Sequence, residues 1–500
     1  MERHRPVAHI RPSTHRSART EALAALAALL LFGLALGCAT NPVTGKSELS
    51  IVSDAQELAA GKQALAAAEA EYGYYDDAQW TARVNTMGQK LAAVSHRPTL
   101  AWQFHIADDP TVNAFAAPAG FIFVTRGIIA TLNSEAQLAG VVGHEIGHVT
   151  AKHYSQQATR EQLTGLGLGV ASVFSSTLAQ YGQIAQQGLG ILFLKYSRDQ
   201  ENEADALGVS YSVKAGWDAR EMPATYRTLA RIGAAAGSST PTYLSTHPDP
   251  AAREVTTRQL AATAVGTRTD LIVNHDSYIR SLEGLVYGND PRQGYFEADR
   301  YYHPTLGFTI DFPAGWLHQD SRSAILAANK AKTAVMQVTV VNTGGTPASY
   351  VQKLQSGGQI TGAEGSSEQV GGFPAWVGRV QVQNEQGQKA VLAYALVQQT
   401  AQQTFQFLGQ MQQAGGADEQ AILTAARSFR ALTDPARKNP TPARIKIVAA
   451  PSAGTFASIE PGLGAQSLSL EESAILNGVE TGDPIARGQL LKVVTPARVK

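Results

Sequence analysis

Residues 144–148 read His-Glu-Ile-Gly-His, a spacing that suits metal-assisted hydrolysis. His144 and His148 are four residues apart, so on a helix both imidazoles lie on one face and can reach the same metal ion. Glu145 lies beside them as the candidate catalytic base, which takes a proton from water as that water attacks a peptide carbonyl. Zinc accepts such nitrogen and oxygen ligands and keeps one position open in catalytic sites. The segment therefore predicts a hydrolytic site with one zinc ion per chain.

A third protein ligand is expected on a separate element. Residues 198–205 read RDQENEAD and predict the start of a helix with acidic residues one turn apart. Glu201 and Asp205 share a face of that helix, so Glu201 can bind the metal while Asp205 orients a ligand histidine. The alternative is a buried structural histidine pair. The helical context and the downstream acidic helix together favour the metal site.

The histidine pair must be carried by a helix, and the local sequence predicts one. Ser134 and Gln137 have capping-box spacing, and apolar residues recur at helical intervals as far as Lys152. Two further helices are predicted at 54–72 and 78–94, and two strands at 102–106 and 121–125. The apolar, Gly- and Ala-rich stretch 165–194 is interrupted by glutamines, which favours a pair of core or flap helices over membrane insertion.

Other histidines lack the spacing of metal ligands. His153 follows His148 by five residues and so points to a different face of the same helix, which predicts a solvated side chain. The remaining unpaired positions are predicted to be structural or on the surface: His96, His105, His275, His303 and His318.

The chain has 41 basic and 41 acidic side chains, so its charge predicts no nucleic-acid partner. Residues 1–37 combine a basic leader with an apolar run too short for the roughly 20 residues of a spanning helix, which predicts an export signal rather than a membrane anchor. The run ends in Ala-Leu-Gly before Cys38, the only cysteine, and resembles a bacterial lipobox. That resemblance implies a lipid on Cys38, and Ala39 after it implies the periplasmic face of the outer membrane.

The composition changes near residue 295. Aromatic and β-branched runs that alternate with Gly and Pro turns predict an α+β domain over 295–432, read as a binding or scaffolding unit. Several prolines predict a linker over 433–444. Residues 445–497 loosely resemble a lysin-motif module, which implies a βααβ fold and glycan binding. A small closing subdomain without a ligand is the alternative.

The metal-site motifs, with Asn113-Ala114-Phe115-Ala116 and Val124-Thr125-Arg126-Gly127 before them, resemble the gluzincin family of the CAAX prenyl endopeptidase and the bacterial heat-shock membrane protease. Its periplasmic lipoprotein branch is the nearest match. The resemblance implies a mainly helical zincin domain with a small sheet over 38–290, so the expected fold class is α+β. It further implies that Glu201 is the third ligand, supported by Asp205, and that substrate lies extended along Asn113, Ala114 and Phe115.

The resemblance extends to Thr246-His247-Pro248. It implies that His247 is a candidate fourth, regulatory zinc ligand that holds the enzyme shut. The alternative is that His247 only caps or packs a loop. Arg253, which follows this segment, is a candidate for stabilising the developing oxyanion.

The expected function is zinc-dependent hydrolysis of peptide bonds in misfolded or misassembled cell-envelope proteins. One alternative is a chaperone-like envelope assembly factor, and another is a cell-wall-tethered binding protein whose metal is structural. Glu145 argues against a structural metal, because such a site has no use for a base. The expected partners are unfolded envelope proteins, the membrane through the lipid anchor, and peptidoglycan through the tail.

Overall fold

The computed structural model describes residues 38–164, 191, 194–236, 242–383, 388–465 and 467–498. The predicted export signal over 1–37 lies outside them, as does nearly all of the predicted helix pair over 165–194. Among the described residues, no helix is both long enough and apolar enough to cross a membrane. The chain combines helices with sheets, as the predicted α+β class requires.

The described chain opens with a short antiparallel pair, β1 (Cys38–Thr40) and β2 (Ser47–Leu49). Two helices follow, α1 (Asp54–Tyr72) and α2 (Ala78–Ala93), which confirms the helices predicted in this region. The Ser53 side chain accepts a hydrogen bond from the Gln56 amide and begins α1 with a full capping box.

A three-stranded sheet lies beneath the helices. Its strands are β3 (Gln103–Ala107), β4 (Ala114–Ala117) and β5 (Phe121–Thr125). β5 is central, parallel to β3 and antiparallel to β4. Within the described part of the chain, β4 pairs only with β5, so its outer edge is available to an extended chain.

Among the described residues of the first half, eight further helices follow. They are α3 (Arg126–Thr131), α4 (Glu135–Thr150), α5 (His153–Thr164), α6 (Arg198–Ala215), α7 (Met222–Ala235), α8 (Thr242–Thr246), α9 (Pro250–Val265) and α10 (His275–Ser281). One apolar core joins α2, the sheet, α4, α6 and α7, and includes Leu91, Ile122, Val142 and Leu229. The core fixes α4 and α6 against each other, and these two helices carry the site.

The second half contains larger antiparallel sheets. A seven-stranded sheet has the order β12-β13-β14-β15-β11-β10-β9, and a four-stranded sheet has the order β16-β8-β7-β6. The strands are β6 (Tyr295–Glu297), β7 (Arg300–His303), β8 (Phe308–Asp311), β9 (Leu317–Asp320), β10 (Ile325–Ala328), β11 (Ala334–Val341), β12 (Gly362–Val370), β13 (Phe373–Gln383), β14 (Lys389–Gln398), β15 (Thr404–Met411) and β16 (Arg430–Ala431). Helices α11 (Pro347–Ser356) and α12 (Ala417–Arg427) pack on the large sheet.

The tail has two pairs of strands, with short helices between them. After α13 (Pro435–Lys438), its elements are β17 (Arg444–Ala449), β18 (Gly454–Thr455), α14 (Phe456–Ile459), α15 (Leu470–Leu476), β19 (Pro484–Ile485) and β20 (Leu490–Thr495). β17 pairs antiparallel with β20. Glycan binding by this tail stays a prediction.

The tail contacts the first half directly and is not joined to it only through the predicted linker over 433–444. Ile445 and Leu490 belong to the same apolar core as α4. Ile445 also exchanges backbone hydrogen bonds with Gly284 and Leu285. Independence requires few contacts across a boundary, and here the boundary passes through the core.

Lys492 on β20 makes the deepest contact of the tail. Its side chain is fully buried, and Nζ donates to the carbonyl oxygens of Ala130, Thr131 and Leu132 at 2.9–3.2 Å. These carbonyls end α3, where helix acceptors have no partner in the helix itself. Burial lowers the pKa of Lys492, while three carbonyl acceptors match the three donors of its ammonium group. The tail thereby caps the helix that precedes α4.

Candidate metal centre

α4 presents the two histidines from a helix with a well-defined start. Ser134 caps it and accepts a hydrogen bond from the Gln137 amide, as the sequence predicted. His144 and His148 are one turn apart, and their Nε2 atoms lie 3.0 Å from each other. Both imidazoles therefore point at one place.

α6 brings the acidic ligand to the same place. It starts at a capping box formed by Ser197 and Gln200, which sets Glu201 in the first turn. The close approach of α6 to α4 depends on small residues, because a Cβ on Gly208 would lie 2.9 Å from the His144 backbone nitrogen. Any larger residue there would push Glu201 away from the histidines.

Four side chains form one buried group: His144, His148, Glu201 and His247. One ligand atom of each lies within 4.8 Å of the others, and each residue is at most 2% exposed. His247 Nδ1 is 3.0 Å from Glu201 Oε1 and 3.4 Å from His144 Nε2. Three imidazoles and one carboxylate are a donor set that zinc accepts, and a group of this size holds one ion.

Burial and neighbouring charged side chains set the pKa values of the residues in this group. Burial alone would raise the pKa of Glu201, but His247 and Arg253 outweigh it and hold that pKa below its ordinary value. Burial also lowers the pKa of the His148 imidazole. Glu201 is thus an anion and His148 a neutral ring, which are the forms that bind metal.

Asp205 fixes the orientation of His144. Its Oδ1 lies 2.9 Å from His144 Nδ1, on the ring side away from Nε2. Arg253 donates to both carboxylate oxygens of Asp205 at 2.7 and 2.8 Å, and Tyr226 donates to Oδ1 at 2.5 Å. With Nδ1–H donated to Asp205, Nε2 carries the free lone pair and faces the group.

Arg253 contacts Glu201 and the residues around it. Its Nη1 is 2.8 Å from Glu201 Oε2 and also donates to the Tyr243 hydroxyl, and its Nη2 donates to Tyr226. These contacts, with those to Asp205, engage the whole buried guanidinium with protein groups. They favour a positioning role over the predicted oxyanion role, which stays a prediction.

His153 is the main correction to the sequence analysis, because it is fully buried and not solvated. Its Nδ1 lies 2.9 Å from His148 Nδ1, and its Nε2 lies 3.3 Å from Glu203 Oε2. The prediction placed His153 by helical rotation from His148. In the structure α4 ends at Thr150, and Lys152 takes a positive φ of 57°. The helix is interrupted there, so the 100° rotation per residue no longer applies.

The contacts of His153 fix its tautomer. If His148 offers Nε2 to the metal, its Nδ1 carries hydrogen and donates to His153 Nδ1. His153 must then carry hydrogen on Nε2, which faces the Glu203 carboxylate. Both ligand histidines are therefore oriented by a carboxylate, one directly by Asp205 and one through His153.

We expect His153→Phe to lower zinc affinity by about 10–100-fold, the usual cost of losing a partner that orients a ligand. A chelating-dye competition would measure it. His275→Phe is the matched control, since His275 is exposed and distant from the site. An equal loss of melting temperature in metal-free and zinc-loaded protein would instead show that His153 only fills the core.

Glu145 sits at the edge of the group. It is 1% exposed, and its Oε1 has no hydrogen-bond partner among the described residues. His247 Nε2 lies 3.8 Å from that oxygen. Burial raises the pKa of Glu145, which makes it a stronger base than an exposed carboxylate. An orphaned buried acceptor beside a zinc-type donor set fits a catalytic metal centre.

The strand predicted to bind substrate reaches the site. Asn113 precedes β4, and Ala114 and Phe115 lie within it. Further along the same strand, Ala116 and Ala117 line a narrow cavity together with His148. An extended chain paired with β4 would thus pass the metal group.

Sequence reasoning missed the aromatic side chains of the site. Tyr196 stacks on His148 with ring centroids 4.2 Å apart, and Tyr243 stacks on His247 at 4.9 Å. Tyr226 bridges Asp205 and Arg253. Their sequence positions carry no motif, because aromatic residues at helical spacing are usual in any core.

Comparison with known proteins agrees with this geometry. Residues 78–259 match Peptidase family M48. The chain is 33% identical over 173 residues to mitochondrial metalloendopeptidase OMA1 of Arabidopsis thaliana, covering 34% of each chain. It is 30% identical over 217 residues to the OMA1 of Schizosaccharomyces pombe, covering 41% of this chain and 61% of that one. It is 28% identical over 232 residues to the beta-barrel assembly-enhancing protease of Escherichia coli, covering 44% of this chain and 47% of that one.

The chain spans about a third to three-fifths of the length of these relatives. The matched segment contains His144, Glu145, His148, Glu201 and His247. The site and the matched segment therefore coincide, and the donor set of the group suits one zinc ion.

Proposed function

We propose that this protein is a zinc-dependent endopeptidase. The observation that carries the proposal is the buried group of His144, His148 and Glu201 with the orphaned carboxylate oxygen of Glu145 beside it. A structural metal site has no use for an unpaired buried base. The M48 match of the same segment supports the assignment.

In this mechanism, His144, His148 and Glu201 hold the metal. Zinc bound there supplies Lewis-acid activation of water and of the peptide carbonyl. Glu145 takes a proton from the attacking water at its carboxylate and returns it to the leaving amine. Asp205, Arg253 and His153 keep the ligands in place, and the edge of β4 orients the substrate chain.

The test is a metal analysis beside digestion of an unfolded substrate such as casein. We expect one zinc per chain, loss of digestion when a chelator removes it, and recovery when zinc is returned. Cobalt would restore activity as well, because it accepts the same ligands. Digestion that survives complete removal of metal would contradict the proposal.

A holding factor that seldom cleaves is a second candidate function, and the position of His247 favours it. His247 is 2% exposed and contacts both oxygens of Glu201 at 3.0 and 3.2 Å. The residue therefore lies inside the metal group, where it can fill the position that catalysis needs open.

We propose that His247 is a fourth, inhibitory ligand, and expect His247→Ala to raise casein hydrolysis several-fold at unchanged zinc content. The reason is that three ligands remain and one position opens. Thr246→Ala, at the neighbouring buried residue, is the control. A lower rate would assign His247 to the reaction itself, and an unchanged rate would leave it a packing residue.

The substrates we propose are misfolded or misassembled proteins of the cell envelope. Support comes from the name of the Escherichia coli relative, which is a protease that enhances β-barrel assembly. The lipobox-like sequence before Cys38 adds to it. A lipid there would anchor the protein to a membrane.

For the lipid anchor, we expect Cys38→Ser to move the protein from the membrane pellet to the soluble periplasmic fraction, because one acylated residue supplies the attachment. Immunoblots of fractionated cells measure it. An unchanged pellet fraction would point to a retained leader helix instead.

A further inference from the structure

A cavity of about 560 Å³ lies at the start of the edge strand, between the two halves of the chain. Asn113, Phe115 and Thr125 line it from the sheet of the first half. His318 and Asp320, on β9, line it from the second half. The domain of unknown role thus supplies one wall of a space that opens onto the substrate strand.

The cavity carries unbalanced negative charge. Three of its carboxylates, on Glu71, Asp109 and Asp320, form no ion pair with any described basic side chain. Their partners are neutral: Asp109 accepts from the Thr111 amide at 2.6 Å, and Asp320 from the Tyr301 hydroxyl at 3.4 Å.

The charges of the two arginines lining the cavity do not cancel the acidic ones. Arg126 is 2% exposed, and its Nε forms an ion pair with Asp108 Oδ1 at 2.8 Å. Arg322 donates to Gln293 Oε1 at 3.1 Å and is exposed. The remaining field favours a cation.

Asn113 gives an independent sign that the cavity takes a ligand. The residue is 3% exposed, and its Oδ1 has no hydrogen-bond partner in the described structure. A buried acceptor without a partner is costly unless a ligand donor satisfies it. An ammonium or guanidinium group carries such donors, and it also suits the acidic wall.

The position of the cavity sets its distance from the reacting bond. Ala116 lies beside His148, and Asn113 is three residues earlier along the same chain. At about 3.3 Å per residue, a substrate chain paired with β4 spans this interval with about three residues.

We infer that this cavity is a specificity subsite for a Lys or Arg side chain of an extended polypeptide, about three residues from the bond that is cut. The inference rests on the proposed peptidase function. It assigns part of the second half of the chain to substrate choice, through His318 and Asp320.

The test uses quenched fluorescent peptides in which a single Lys, Ala or Glu is moved along an otherwise constant sequence. Mass spectrometry locates each cut, and kcat/KM is compared between the peptides. We expect cuts at a fixed offset from Lys, and kcat/KM about tenfold higher for Lys than for Glu at that offset, as for a partly buried charged hydrogen bond.

The double variant Asp109→Asn with Asp320→Asn should bring the Lys-to-Glu ratio close to one. Its control is Asp270→Asn with Asp276→Asn, which removes two exposed carboxylates that do not line the cavity and should keep the ratio. Asp320→Lys should reverse the preference toward Glu, which separates a loss of charge from a loss of fold.

Failure of the subsite and failure of the peptidase proposal give different results. The subsite is overturned if the cut has no fixed offset from Lys, or if the preference for Lys survives in the double variant. Either result leaves the peptidase proposal intact. If no peptide is cut, the binding of the peptides to Glu145→Gln protein, measured by fluorescence anisotropy, still tests the subsite. Tighter binding of the Lys peptides that the double variant loses supports the subsite, and equal binding of all peptides overturns it.

Discussion

Glu145→Gln is expected to lower peptide hydrolysis by about 10³-fold while one zinc ion stays bound, because the base contributes to proton transfer and is not a ligand. In the structure Glu145 stands at the edge of the group formed by His144, His148 and Glu201. The amide keeps the shape of the side chain but cannot take a proton from water. Initial rates on casein and metal analysis of the same preparation measure both effects.

Stability provides a second readout for this variant. Burial disfavours the ionised form of Glu145 and raises its pKa, so a neutral amide should leave the melting temperature equal or higher. Glu69→Gln, at an exposed position of α1, is the control and should change neither rate nor stability. Full activity in Glu145→Gln would refute the mechanism, and loss of zinc would show that the residue is a ligand.

Lys492→Met is expected to destabilise the protein by about 2–4 kcal/mol, because it removes a donor from three buried carbonyl oxygens at the end of α3, of which that of Thr131 keeps the Asn133 side-chain amide as a donor. Those carbonyls belong to Ala130, Thr131 and Leu132, just before the helix that bears His144 and His148. Urea unfolding followed by tryptophan fluorescence measures the change. Zinc affinity should fall together with stability, since α4 starts at this turn.

Lys446→Met is the matched control, because Lys446 lies exposed on the neighbouring strand β17. Deletion of residues 444–498 should have a larger effect and prevent a folded peptidase, since it also removes Ile445 and Leu490 from the core. A deleted protein with unchanged zinc content and melting temperature would show that the tail is an independent module.

The elements nearest the site could be predicted from the sequence, because their signals are local. Helix α4 follows from the cap at Ser134 and from apolar spacing, and the pairing of His144 with His148 follows from one turn of helix. Glu201 and Asp205 are likewise one turn apart on α6, and the structure places Asp205 on His144. Periodicity and capping act within a few residues, so a single sequence is enough to show them.

The rest was decided by tertiary structure. His153 reaches His148 because the helix is interrupted at Lys152. In the sequence, Lys492 resembles a surface residue of a strand. The structure places it against α3, which lies more than 300 positions earlier in the chain. Neither contact has a periodic signal, since each depends on how distant segments pack.

From the sequence alone, the histidine pair, the candidate base Glu145 and the helices that carry them could be predicted, because these depend on spacing along one helix at a time. The tertiary structure places His247 in the metal group, which the resemblance implied but no spacing did, and it alone shows that the tail shares the core of the first half. It also shows that residues of the second half line the cavity beside β4. Contacts between distant segments arise from the burial of shared apolar surface, and that surface is defined only once the whole chain is folded.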